Sequence, residues 1–187
     1  MIRRIAEIIR RPVARFVGDR RGVSAVEFAL ISPLMIGLYL GGVEISQGIG
    51  VDRKVTLTAG AIANLSAQTT TIASSDMTNI MNAATAIMAP YSTSPLKITV
   101  SCLNIDANKA VKVKWSATQG GTARSAGSSV SIPSALVVAN SQLLFSEVSY
   151  TYRPTIGYVI TGTLNLSDTM YMSPRISAPT YGATTCT

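Results

Sequence analysis

From Val23 to Ile45 nearly every position is apolar or small, and the interruption, Glu27, lies near the start. As a helix these 23 residues extend roughly 35 Å, enough to cross a bilayer core. The strictly uncharged run from Phe28 to Val43 is 16 residues, about 24 Å, slightly short of the usual hydrocarbon thickness. Glu27 is therefore expected at the membrane boundary or just below it. Pro33 inside the run removes one backbone hydrogen bond and predicts a bend, and the small residues Gly37, Gly41 and Gly42 permit close helix contact.

Beyond the run, helical spacing continues through Val51, Val55, Ala59, Ile62, Ala63 and Leu65 until the Thr- and Ser-rich stretch AQTTTIASS breaks it. Ser74 or Ser75 is expected to cap a second helix with Met77, Ile80, Met81, Ala84, Ile87 and Met88 on one face, ending before Pro90. Methionines at that spacing read as core rather than as a cofactor box. From Leu96 the period becomes twofold: LKITVSCL and VKVKW alternate around a DANK turn, with Val111, Val113 and Trp115 expected to face inward together. Cys102 lies on the face of Val100 or on the opposite one, according to where a bulge falls. TQGGTARSAGSSVS reads as an exposed connection without the Lys-Ser/Thr ending of a phosphate loop. LLFSEVSYTYRP predicts a strand with Val148, Tyr150 and Tyr152 on one side, and GYVITGTLNL and TMYMSPR read as strands or strand fragments. The expected fold is α+β, a long N-terminal helix laid on an antiparallel sheet, with segments 1–22, 23–45 and 46–187 as leader, membrane span and exported domain.

Charge changes the picture only at the N-terminus. Of the net +7, the first 22 residues carry +5, from seven arginines against Glu7 and Asp19. Arginines beside a spanning helix are retained on the cytoplasmic side, so residues after about Ile45 are expected outside. Downstream there is no dense basic run, which argues against nucleic-acid binding. The apolar stretch is too long for a Sec signal peptide, and Glu7 and Asp19 break the acid-poor rule of a mitochondrial presequence. Cys102 and Cys186 fall on the same side of the span, where they either bond, closing a loop of about 85 residues, or remain two buried thiols. If bonded, they fasten the tail to the first strand.

Catalysis is not expected. The chain has no histidine, the acids after residue 22 are scattered singly, and no cysteine cluster has metal-ligand spacing. A Ser-Lys arrangement stays open, since Ser and Thr are abundant. No cofactor or metal is implied, and the NLS triplets at Asn64 and Asn165 matter only in a glycosylating host.

The order of basic leader, Gly22, four residues, Glu27-Phe28 and apolar helix, G-VSAV-EF-ALISPL, resembles the processing site of the type IV pilin superfamily. Specifically it is similar to TadE/TadG-like pseudopilins of tight-adherence (Flp-type) systems, and EVSYTYRP and MYMSPR also look like the late strands of TadE-like proteins. The resemblance implies a pilin-like arrangement and cleavage after Gly22 by a membrane-embedded aspartyl prepilin peptidase. Val23 then becomes the first residue, and Glu27 attracts the new α-amine of a neighbouring subunit. It further implies a minor pseudopilin supporting pilus biogenesis, adhesion and biofilm formation. Its partners would be the peptidase, other pilin subunits, the inner-membrane assembly machinery and membrane lipid. By the same resemblance it is a single-pass protein of a bacterial inner membrane, with its C-terminal domain periplasmic. The competing expectation is an uncleaved, membrane-anchored periplasmic binding domain.

Overall fold

The computed structural model describes residues 22–157 and 159–187, so the arginine-bearing leader lies outside the described residues apart from Gly22. The chain is α+β, beginning with one 45-residue helix, α1 (Val23–Ala67), that contains Pro33. It divides into two compact units between Val43 and Glu44. In the first unit most of the large apolar side chains of the helix are exposed, with Leu30 75% and Tyr39 71% accessible.

In the second unit the 44–67 part of α1 buries Val51, Val55, Ala59, Ile62 and Ala63 completely, at the helical spacing the sequence displays. A short strand β1 (Thr71–Ile72) follows within the stretch read as a simple break, then α2 (Ser74–Met88). The cap of α2 lies one residue earlier than the sequence suggests. Ala73 holds the N-cap position, and its backbone N–H donates to Asp76 Oδ2 at 3.1 Å. An acid three residues into the helix satisfies an end donor as well as a serine at the cap, so Ser74 begins the helix instead. At the other end, Lys54 Nζ donates to the Ile87 and Ala89 carbonyls, both at 2.8 Å, placing a cation where α2 presents unpaired oxygens.

The main sheet has the order β3-β2-β4-β5, all antiparallel, from β2 (Leu96–Ile105), β3 (Val111–Gln119), β4 (Ser141–Tyr152) and β5 (Leu164–Met172). The β2–β3 turn closes on Asp106, whose Oδ1 accepts from Ala110 N at 2.8 Å, with Lys109 at positive φ. At the far end of β3, Gly120 has φ +73°, and a Cβ there would stand 2.6 Å from the Leu96 carbonyl oxygen; glycine is required. Gly157 and residues 159–163 form no strand, and one strand, β5, spans LNLSDTMYM in place of two fragments.

The β2–β3 register corrects the expectation that Val111, Val113 and Trp115 share a face. Cys102 pairs with Trp115 but Leu103 pairs with Val113, leaving Lys114 as the extra residue of a bulge. The additional residue turns the strand over, so residues two apart in β3 end on opposite faces. Trp115 joins Ile98, Val100, Cys102, Leu144 and Val148 in the core under α1 and α2. Val113 packs with Leu103, Ile105, Leu143 and Phe145 in a second cluster, against which Val111, Val130, Ile132, Leu136 and Val137 rest. Cys102 therefore shares the face of Val100.

The tail closes the core. Strand β6 (Thr180–Tyr181) runs parallel to β1 and antiparallel to β7 (Thr184–Thr185). Arg175 N donates to Ala67 O at 3.0 Å and its Nη2 to Asn64 Oδ1 at 2.7 Å, tying the tail to the C-terminus of α1. Trp115 Nε1 donates to Pro179 O at 3.1 Å, which satisfies the one polar atom of a buried indole.

Candidate functional site

The site starts where α1 starts. Gly22 directly precedes the helix and Val23 is its first residue. Val23 and Glu27 are four residues apart, so they stand on one face about 6 Å apart along the axis. Gly22, Val23, Glu27 and Phe28 are all exposed, Phe28 by 72%. Arg124 with Glu147 forms the one ion pair among the described residues, so Glu27 has no cationic partner there.

Between Phe28 and Val43 the helix presents Leu30, Ile31, Leu34, Met35, Ile36, Leu38 and Tyr39, each more than half exposed. Apolar surface in water costs about 25 cal/mol per Å², and a stripe of large side chains on every face exceeds what a soluble chain leaves uncovered. This helix is long and apolar enough to cross a membrane.

Glu44 received no role from sequence reasoning, yet it is fully buried. Its Oε2 accepts backbone N–H groups from Val159 at 2.8 Å and Ile160 at 3.0 Å. A buried carboxylate must be solvated by donors, and two amides of the 153–163 connection do this. The signal available in the sequence was an isolated acid at the end of an apolar run, indistinguishable there from an interfacial charge.

The outer face of the main sheet carries a second feature. Arg124, in the loop read as a plain connection, donates through Nε and Nη2 to both carboxylate oxygens of Glu147, at 2.7 and 2.6 Å. Its guanidinium also lies 5.5 Å from the centre of the Phe145 ring, which stacks on Tyr171. The hydrogen bond to Glu147 raises the Arg124 pKa above its ordinary value. Both partners are about one-third exposed, so the pair contributes on the order of 1 kcal/mol or less. Beside it lies a cleft of about 430 Å³ lined by Lys97, Thr99, Glu147, Ser149 and Asp168. Among the described residues no group of His, Cys, Asp or Glu is placed to hold a metal.

Cys102 and Cys186 are joined in a disulfide, Cα to Cα 5.9 Å, with both residues fully buried. Asn64 is engaged by Arg175, while Asn165 Oδ1 accepts from Thr151 Oγ1 at 3.1 Å.

Among the described residues, one apolar helix long enough to cross a bilayer runs on into an α+β domain, an arrangement consistent with a single-pass membrane protein. Residues 22–63 match the model of the family described as TadE-like protein, so this stretch of the chain is similar to that family. The match begins at Gly22 and ends within α1; it does not extend to the late strands. No curated protein and no solved structure matches significantly.

Proposed function

We propose that this chain is a structural subunit of a tight-adherence pilus system, made competent for assembly when a prepilin peptidase cleaves between Gly22 and Val23. The observation that carries the reading is the coincidence at one bond: the TadE-like match begins at Gly22 and the exposed apolar helix at Val23. Cleavage removes a leader of net +5 and creates an α-amine at the head of the helix. Glu27 is the fifth residue of the cleaved chain, and its carboxylate is one turn from that end, free to meet the amine of an adjacent subunit. In low dielectric such a pair stabilises one stagger of neighbouring helices over others.

The domain is then carried on the periplasmic side of the inner membrane, in contact with other pilin subunits and the assembly machinery, and serves as a minor pseudopilin in adhesion and biofilm formation. Its chemistry is that of packing and charge pairing, without a cofactor. Intact-mass measurement of protein extracted from membranes of a host carrying the peptidase tests this. A chain beginning at Val23 supports processing; one beginning at Met1 assigns the protein to uncleaved anchored domains.

A further inference from the structure

We infer that the domain makes a second contact with the bilayer, through an apolar rim of Ile45, Ile49, Ile156, Val159 and Leu164 that Glu44 organises from behind. This rests on the membrane-spanning reading of α1, and it begins from a shortfall. The uncharged run Phe28–Val43 covers about 24 Å, whereas a hydrocarbon core is about 30 Å thick. In the sequence Glu44 ends the run. In the structure it does not, because its carboxylate is fully buried and bonded to the Val159 and Ile160 amides, so no charge faces outward at that position.

The first exposed charged side chain after Glu27 along α1 is Asp52. Counting to Val51, the helix offers 24 residues without an exposed charge, about 36 Å, which removes the deficit. The amides that sequester Glu44 belong to a connection that brings further apolar surface to the same place. Ile45 and Ile49 are 49% and 50% exposed, and Ile156, Val159 and Leu164 are 46%, 50% and 38% exposed. Ile45, Gly48, Ile49, Ile160, Leu164 and Leu166, with Asp52, line a groove of about 340 Å³. Arg153, exposed where the connection leaves β4, suits headgroup phosphates.

The occupant is lipid at the acyl–headgroup boundary. Glu44 directly follows the last residue of the uncharged run, and the Val159 and Ile160 amides are bonded to it, so the rim is tied to the point where the chain leaves that run. The depth involved, about 5–10 Å, is that of an interfacial rather than a spanning element.

The test uses full-length protein in phosphatidylcholine–phosphatidylglycerol vesicles, with tryptophan introduced as Val159→Trp, Ile156→Trp or, as a control on an exposed loop, Ala126→Trp. Native Trp115 is 4% exposed and gives a fixed background. Far-UV circular dichroism confirms that each variant folds. With lipids brominated near the headgroup end of the chain, V159W and I156W emission should fall by about half while A126W is unchanged, as interfacial burial requires. Equal, weak quenching of all three variants overturns the proposal. A blue shift of V159W that follows protein concentration without quenching also overturns it and assigns the rim to a second copy. Failure of the native chain to float with vesicles overturns both this contact and the membrane reading of α1, whereas flotation without quenching overturns this contact alone.

Discussion

Replacing Cys102 and Cys186 together by alanine tests how the C-terminal tail is held. The bond joins residues 84 apart in sequence, and closing so long a loop in the unfolded chain is worth about 4–5 kcal/mol in the chain-entropy treatment. The tail's other attachments survive the substitution: the Trp115–Pro179 hydrogen bond, the β1–β6 pairing and the Arg175 contacts with Ala67 and Asn64. The variant is therefore expected to keep its folded structure and to lose stability mainly through a freer unfolded state. For a domain of this size, 4–5 kcal/mol lowers Tm by roughly 10–20 °C. Urea unfolding of the detergent-solubilised full chain, followed by Trp115 emission, measures the difference. The reporter is well placed, since Trp115 is the chain's single tryptophan, pairs with Cys102 across the sheet and lies 5.4 Å from Tyr181 of the tail. A variant within about 1 kcal/mol of the native protein would refute the loop-entropy reasoning and leave the tail held by its noncovalent contacts.

Gly22→Ala is expected to block processing, read as the uncut mass in a host that carries the peptidase; an unchanged mature mass would refute the cleavage assignment. Glu27→Gln should leave cleavage intact and reduce co-purification with neighbouring subunits severalfold, and undiminished co-assembly would count against charge pairing. Desolvation raises the pKa of Tyr150, Tyr152 and Tyr171, with adjacent tyrosines, Glu44 and Glu147 adding to it. Because the folded state holds these protons more tightly, the stability they contribute is complete below the ordinary tyrosine value of about 10 and is lost as pH rises through the raised folded values. Thermal melts from about pH 8 upward should thus show Tm falling above about pH 10, less steeply in Tyr150→Phe; identical slopes for variant and native would exclude Tyr150 as a contributor.

The candidate site was legible in unequal parts. Gly22, Val23, Glu27 and Phe28 are local in sequence, and their positions at the head of an exposed apolar helix follow from helical geometry alone. Arg124 was not legible, because a Gly/Ser-rich loop carries no signal of where it will lie. Its partner Glu147 is 23 residues away and meets it only once β3 and β4 flank β2. Glu44 was visible as a charge but not as a buried one, since the amides that solvate it come from residues 115 and 116 positions later.

Sequence by itself determined the elements whose period outlasts local ambiguity: the apolar run, the helical stripe from Val51 to Ile62, the methionine face of α2 and the alternating strands. These depend on 3.6- and 2-residue repeats, which the backbone enforces without regard to what packs against it. Tertiary structure alone decided where Lys114 bulges, which sends Val113 and Trp115 to opposite faces. It alone paired the two-residue strands β1 and β6, too short to announce themselves, and brought Cys186 to Cys102. Each of these depends on contacts between residues far apart in the chain, and such contacts have no periodicity to betray them.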